Sequence, residues 1–151
     1  MIKMITAAPE VEGIMGTISE LRRRGIVFSI GHTEADYELS KEAVTQGVTM
    51  ITHLFNAMKP LHHRNPGIFG LMGQENIACR PFFGLIADGI HLHPTTVKIA
   101  SNAHPSGTVL VTDALALMGL DDGVYDWING DRIRNEGPNL TKDGTSTIAG
   151  G

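Results

Sequence analysis

The chain has 151 residues, of which 42% are hydrophobic and 19% are charged, and its formal net charge is −4. This length suits one globular domain with a buried core, and the mild acidity excludes the basic face that nucleic-acid binding requires. The single cysteine, Cys79, excludes a disulfide framework, no apolar run approaches the roughly 20 residues of a membrane span, and the first residues show no secretory signal. We therefore expect a cytoplasmic protein with no nucleic-acid or membrane partner.

The first elements alternate between strand and helix. The segment "KMITAAP" predicts a short strand closed by Pro9, and "EVEGIMGTISELRRRG" predicts a helix that stops at Gly25. The cluster Arg22–Arg24 lies in the last turn of this helix, where cations are favoured by the helix dipole, and we prefer that interpretation to a phosphate-binding patch. The apolar segment "IVFSIGHT" then predicts a second strand.

The alternation continues to about residue 120. A helix is predicted over "EADYELSKEAVTQG", with Thr33 as its N-cap and Gly47 as its stop, and a third strand over "VTMITHLFNA". After a long loop, "FFGLIADGIHL" predicts a fourth strand, "HPTTVKIASNAH" a helix opened by Pro94, and "GTVLVTDAL" a fifth strand. Nearly continuous apolar strands that alternate with helices indicate an α/β fold with a parallel sheet of βαβ units.

The pattern changes from Asp121 onwards. Turn signals at Asn129-Gly130 and Asp143-Gly144, without any helical periodicity, predict a β-hairpin over residues 121–151. We assign residues 1–120 to the βα-repeat part and residues 121–151 to an excursion of the same domain.

Polar residues follow the predicted strands at their carboxyl ends, where α/β sheets bind ligands. They are His32, His53, Asp88 with His91, and Asp113. One histidine after a strand is usually structural, but four consecutive strands that end in histidine or aspartate indicate a functional site. Asp88 is better explained as a cap of the following turn, and His93 as a helix-start residue.

These residue types support metal-assisted hydrolysis. The imidazoles of His32 and His53 come from adjacent strands and can bind one divalent ion, with Zn, Fe, Co and Ni as the suitable metals. Asp113 can act as general base on the metal-bound water and then as acid toward a leaving amine, while His91 can orient a substrate carbonyl. A third ligand is needed, and Glu10 is the local candidate, although Pro9-Glu10 also fits an ordinary helix start.

The loop after the third strand carries groups suited to an anion. His62, His63 and Arg64 form a compact cationic group, and a guanidinium can grip a phosphate bidentately. A solvated loop explains the same residues equally well. Asn56 and Ala57 offer a side-chain amide and a backbone N–H near the same site.

Four motifs, in this order and spacing, resemble the N-acetylglucosamine-6-phosphate deacetylase family of the amidohydrolase superfamily: "SIGHTEADYE", "THLFNAMKPLHHRNPG", "LIADGIHLHP" and "VLVTDALALMG". The combination of "THLFNAM" with "HHRNPG" is the most specific. The resemblance implies a (β/α)8 TIM barrel beside a small β-sandwich domain, of which this chain would hold about barrel strands 4 to 8. It also implies hydrolysis of the acetamide of N-acetylglucosamine 6-phosphate to glucosamine 6-phosphate and acetate, in amino-sugar catabolism, by an enzyme that is a homodimer.

The resemblance also assigns roles by motif. It implies that His32 and His53 are metal ligands and that Asp113 is the catalytic acid and base. The remaining matched positions correspond to substrate contacts: Asn56, Ala57, Arg64, His91, Ile148, Ala149 and Gly150.

This sequence departs from the family pattern in two ways. The family's metal-binding glutamate lies in a "HxEGP"-type segment upstream of the region represented here, whereas Glu10 matches the "APE" that closes the fourth barrel strand. The substrate loop, which usually continues with Ser, reads Gly151 here. We therefore expect a truncated form with weak metal affinity and little activity. The alternative is a non-catalytic chain that needs a partner chain to fold. An amidohydrolase for a dihydropyrimidine or adenine is disfavoured, because the Asn-Ala and His-His-Arg residues would then have no role.

Overall fold

A computed structural model describes residues 1–74, 80–128 and 130–150 of the chain. Within these ranges the chain forms a five-stranded parallel sheet followed by a four-stranded antiparallel sheet. No helix of the described ranges is long and apolar enough to cross a membrane. The predictions on Cys79, Asn129 and Gly151 lie outside the described residues.

The parallel sheet follows the order of the chain. Its strands are β1 (Met4–Ala7), β2 (Val27–Ile30), β3 (Met50–Ile51), β4 (Phe82–Ile86) and β5 (Thr108–Val111), and each pairs in parallel with the next. The predicted α/β class and the five parallel strands are confirmed. Since all five strands run the same way, their carboxyl ends meet at one edge of the sheet.

Three helices connect these strands: α1 (Ile18–Arg23), α2 (Tyr37–Gln46) and α3 (Pro94–Ala103). The first is shorter than predicted, because a 3-10 helix at Met15–Thr17 replaces its first turn. His93 caps α3 by accepting from the backbone N–H of Thr95, as its predicted helix-start role requires.

The predicted N-cap of α2 is wrong. Asp36 caps the helix, with Oδ1 accepting from the backbone N–H of Leu39 at 2.9 Å. The hydroxyl of Thr33 instead donates to Glu10 and accepts from the backbone N–H of Ala35. A hydroxyl engaged in that turn cannot also cap a helix three residues later. The long loop after β3 also holds an unpredicted 3-10 helix, Gly67–Gly73.

The predicted hairpin is part of a larger sheet. Its strands are β6 (Gly123–Asp126), β7 (Arg132–Glu136), β8 (Asn139–Lys142) and β9 (Ile148–Gly150), paired antiparallel in chain order. The turn at Asp143-Gly144 is confirmed, with Gly144 at φ 75° and the N–H of Thr145 bonded to the carbonyl of Lys142. The extra strands were missed because short segments between glycines lack a clear alternation.

The main core lies between the parallel sheet and its helices. Phe28, Ile51 and Phe83 point from the strands to this side and are buried, together with Ile18 of α1 and Ala100 of α3. A smaller cluster of Leu117, Ile133 and Leu140 lies under the antiparallel sheet.

Candidate active site

The strand-end residues occupy one repeated position. His32, His53, Asp88 and Asp113 each lie two residues after the last residue of β2, β3, β4 and β5 respectively. Because the five strands run in the same direction, this common offset presents all four at the same edge of the sheet. The backbone adopts positive φ at His32 (52°) and Asp113 (55°), a conformation that L-residues rarely take.

The two histidines meet at their Nε2 atoms. His32 Nε2 lies 3.1 Å from His53 Nε2, and the ring planes are inclined at 67°. His53 is 4% exposed and His32 is exposed, so the pair has one buried ring and one ring that faces solvent. Gly31, which precedes His32, lies close to Thr52, which precedes His53. A Cβ at Gly31 would lie 2.8 Å from Oγ1 of Thr52, so glycine permits the two chain segments to come together.

The pair fits part of a metal site. Two imidazole nitrogens bound to one tetrahedral zinc at 2.0–2.1 Å lie roughly 3.3 Å apart, close to the observed separation. The described residues contain no group of three histidine, cysteine or carboxylate side chains that could hold a metal ion. Nδ1 of His53 is buried and has no hydrogen-bond partner among the described residues. In a metal-binding histidine the N–H of the second ring nitrogen ordinarily donates a hydrogen bond to an acceptor. The described residues therefore lack both a third metal ligand and an acceptor for Nδ1 of His53.

Glu10, the local candidate for the third ligand, is engaged elsewhere. Its carboxylate accepts from Oγ1 of Thr33 at 2.5 Å and from the backbone N–H of Glu34 at 2.6 Å. Burial raises the pKa of Glu10, but these hydrogen bonds and the charge of Lys59 outweigh it and hold that pKa below its usual value. The carboxylate therefore anchors the segment that follows His32.

The second group of strand-end residues is a chain of three side chains. Oδ2 of Asp88 lies 2.7 Å from Nδ1 of His91, and Nε2 of His91 lies 3.9 Å from Oδ2 of Asp113. Oδ1 of Asp88 also accepts from the backbone N–H groups of Ile90 and His91, so the predicted turn-capping role is present. Burial raises the pKa of Asp88, and the hydrogen bonds from His91 and Ile90 lower it further than burial raises it.

Asn56 and Ala57 follow His53 directly. The backbone N–H of Asn56 donates to the carbonyl of His53 at 3.0 Å, and the carbonyl of Ala57 accepts from the N–H of Thr33 at 2.9 Å. Ala57 has φ 48° and Phe55 has φ 77°. This tight turn ties the segment after β3 to the segment after β2, which carries His32.

The cationic loop is on the surface. Nη1 of Arg64 lies 2.8 Å from Nε2 of His63, and the rings of His62 and His63 lie 4.3 Å apart. All three residues are exposed, and among the described residues no carboxylate forms an ion pair with Arg64. The guanidinium is thus accessible to an anion.

The predicted substrate loop forms strand β9, which reaches Asp113. Gly150 is buried, and a Cβ on it would lie 2.7 Å from the backbone carbonyl of Asp113. Ile148 and Ala149 are more exposed. Only glycine allows this close approach, which brings the last strand to the segment that carries Asp113.

Sequence reasoning missed two contributions to this site. The bond from Asp88 to the ring of His91 was available from the Asp-x-x-His spacing, but the turn-capping interpretation hid it. The anchoring role of Glu10 joins residues 23 positions apart, and no local pattern reports it.

The chain is similar to solved structures of deacetylases. N-acetyl-D-glucosamine-6-phosphate deacetylase from Mycobacterium smegmatis, as a variant in complex with N-acetyl-D-glucosamine-6-phosphate, matches with a TM-score of 0.88 at 36% identity, covering 98% of this chain and 38% of that one. The enzyme from Thermotoga maritima matches with a TM-score of 0.86 at 33% identity, covering 99% and 40%. The chain therefore has the α/β architecture of one part of these hydrolases.

Sequence relatives identify the same group. N-acetylglucosamine-6-phosphate deacetylase of Danio rerio is 46% identical over 151 residues, and that of Homo sapiens is 42% identical over 151 residues. In both cases the match covers 99% of this chain and 37% of the relative. The chain thus spans a little over a third of the length of the curated relatives it matches, and it is homologous to one segment of the N-acetylglucosamine-6-phosphate deacetylases. No family model matches the chain.

Proposed function

We propose that this chain carries the paired-histidine and acid–base part of an N-acetylglucosamine-6-phosphate deacetylase site, for hydrolysis of the acetamide to glucosamine 6-phosphate and acetate. The 3.1 Å approach of the two Nε2 atoms at the edge that also presents Asp113 carries the proposal. The strictly sequential parallel order of β1 to β5 supports the assignment of these strands to about strands 4 to 8 of a (β/α)8 barrel.

The side chains divide the work of the reaction. His32 and His53 would hold one divalent ion, Zn by preference with Fe, Co or Ni as alternatives, which when bound lowers the pKa of a coordinated water. Asp113 accepts a proton from the attacking water and returns it to the leaving amine. His91 orients the acetamide carbonyl.

The remaining predicted residues bind the sugar phosphate. The exposed guanidinium of Arg64 offers two N–H donors to the phosphate, and Asn56 and Ala57, which follow His53, contact the sugar. Ile148, Ala149 and Gly150 lie along the strand that approaches Asp113. A cytoplasmic location and a homodimeric parent enzyme are part of the same proposal.

Zinc binding and turnover test this proposal separately. Because the described residues supply two imidazoles and no third ligand, we expect weak zinc binding by titration calorimetry and little acetate release from N-acetylglucosamine 6-phosphate. His53→Ala should abolish the zinc binding that remains, whereas His93→Ala, at an exposed helix cap, should leave it unchanged. Stoichiometric, tight zinc binding with turnover like that of a full-length relative would refute the expected weakness. Zinc binding that survives His53→Ala would refute the site itself.

A second candidate, a non-catalytic chain that needs a partner chain to fold, rests on a different observation. Parallel sheets are normally covered on both faces, yet the face of this sheet away from the helices exposes apolar side chains. Size-exclusion chromatography with circular dichroism separates the candidates: a well-folded monomer contradicts a need for a partner, and aggregation or a mixed oligomer supports it.

A further inference from the structure

The carboxylate of Asp88 is fully engaged by the loop that carries His91. Oδ1 accepts from the backbone N–H groups of Ile90 at 2.8 Å and of His91 at 2.9 Å, and Oδ2 lies 2.7 Å from Nδ1 of the His91 ring. The side chain of His91 is 4% exposed, so its ring is packed in place rather than free in solvent. One carboxylate thus stabilises the backbone of the loop and holds the His91 ring by a hydrogen bond.

The opposite edge of the His91 ring faces Asp113, the proposed catalytic acid and base. Nε2 of His91 lies 3.9 Å from Oδ2 of Asp113, which is too long for a direct hydrogen bond. A carboxylate 2.7 Å from Nδ1 accepts a hydrogen bond, so Nδ1 carries a proton. In the neutral Nδ1–H ring, Nε2 accepts a hydrogen bond from a protonated Asp113 carboxyl or a substrate N–H, and in the imidazolium it donates one to the substrate carbonyl oxygen.

We propose that Asp88 is a positioning residue of this site: it fixes His91 as the Nδ1–H tautomer and directs Nε2 toward Asp113. The inference rests on the proposed function, in which Asp113 moves protons and His91 orients the carbonyl. Asp88 acts through His91 and does not itself touch the reacting atoms. Comparable carboxylate–imidazole pairs elsewhere set the tautomer of a functional histidine in the same way.

Substitution of Asp88 by asparagine separates the backbone contacts of the carboxylate from its contact with the His91 ring. In Asp88→Asn the side-chain oxygen still accepts from the two backbone N–H groups, while the amide NH₂ faces Nδ1 of His91. Because an NH₂ group donates, the ring must become the Nε2–H tautomer to accept from it. Asp88→Glu keeps the charge, and a neighbouring cavity of about 330 Å³ leaves room for the longer side chain.

Long-range ¹H–¹⁵N NMR of the imidazoles in the full chain tests the proposal, with the His91 signals assigned by their loss in His91→Gln. We expect the Nδ1–H pattern in the unsubstituted chain, its reversal to Nε2–H in Asp88→Asn, and partial retention of Nδ1–H in Asp88→Glu. Asp122→Asn is the matched control, because Asp122 accepts from the N–H of Gly137 in the antiparallel part, and it should leave the pattern unchanged. An Nε2–H pattern in the unsubstituted chain, or no change in Asp88→Asn, would overturn the proposal.

The kinetic readout distinguishes this inference from the proposed function. Where acetate release is measurable, Asp88→Asn should lower kcat by about 10²-fold with KM changed only a few-fold, because orientation of the reacting groups is lost. An equal loss in Asp122→Asn, or a loss confined to KM, would contradict a positioning role. If the tautomer reverses as expected but zinc binding survives His53→Ala, Asp88 still orients His91 and the deacetylase proposal is what fails.

Discussion

At the residue scale, the site depends on backbone conformations with positive φ, which non-glycine residues rarely adopt. His32 and Asp113 both have positive φ, and each lies two residues beyond its strand. A non-glycine residue in this region costs on the order of 1 kcal/mol, so the surrounding contacts must hold it there. For His32 one such contact is the anchoring of Thr33 and Glu34 by the carboxylate of Glu10.

His104 is a residue whose titration should affect stability. Burial lowers the pKa of His104, and the positive charge of Arg80 lowers it further. A lowered pKa in the folded state means that the unfolded chain binds the proton more readily. The contribution of His104 to the free energy of unfolding should therefore be fully present above pH 6.5. It should be lost as the pH falls from there through the lower pKa of His104 in the folded state.

His104→Gln should flatten this decline in stability between pH 7 and pH 5, as measured by urea denaturation at each pH. Thr108→Val is the matched control, because it removes a hydroxyl that donates to the carbonyl of His104 but leaves the ring in place. The control should be less stable at every pH and should retain the decline. A decline that persists in His104→Gln would show that another group causes it.

At the scale of elements, one side chain ties together parts that no strand joins. Arg80 donates to the carbonyl of Gln74 at 2.8 Å, of Met72 at 2.9 Å and of Ala103 at 3.2 Å. It thus links the end of the 3-10 helix Gly67–Gly73 to the end of α3. The guanidinium fork satisfies three carbonyls that the helix ends leave unpaired.

Arg80→Met should lower the free energy of unfolding by about 2–3 kcal/mol, because it keeps the aliphatic stem but removes charged donors from partly buried carbonyls. Chemical denaturation monitored by circular dichroism measures the change. Arg24→Met is the matched control, since Arg24 forms an exposed pair with Glu20 at 2.6 Å. Such a surface pair contributes about 0–1 kcal/mol. Equal losses in the two variants would contradict the role assigned to Arg80.

Prediction from sequence succeeded for the strands and helices whose bounds carry a local sequence signal. Strands β1 to β5 are short apolar runs between glycines, prolines and polar residues, and α3 begins at Pro94 with His93 before it, so both were predictable. The N-cap of α2 was not, because Thr33 and Asp36 are both good caps. The choice between them is made by Glu10, which is distant in sequence. The histidine pair was predictable from strand ends, whereas its 3.1 Å distance is a tertiary result.

At the scale of the whole molecule, helices of the described residues cover the parallel sheet on one side only. The helices and the main core lie against the face that carries Phe28 and Phe83, while the opposite face presents Met4, Phe82 and Val109, with 52%, 51% and 38% of their surfaces exposed. The pairing register places these residues on one face, since Ser29 lies opposite Met50, Met50 opposite Phe82 and Gly84 opposite Val109. An apolar sheet face and an unpaired edge favour association with another polypeptide.

This open face should make the isolated chain associate. Sedimentation velocity over a concentration series should show species heavier than the 16.2 kDa monomer, because burial of apolar surface drives association. Phe82→Ser should shift the distribution toward the monomer. Ile128→Ser, at a residue 77% exposed in the antiparallel part, removes a comparable apolar side chain from elsewhere and should not shift it. A monomeric chain with native circular dichroism at all concentrations would show that the face is stable in water, and the requirement for a partner chain would then be wrong.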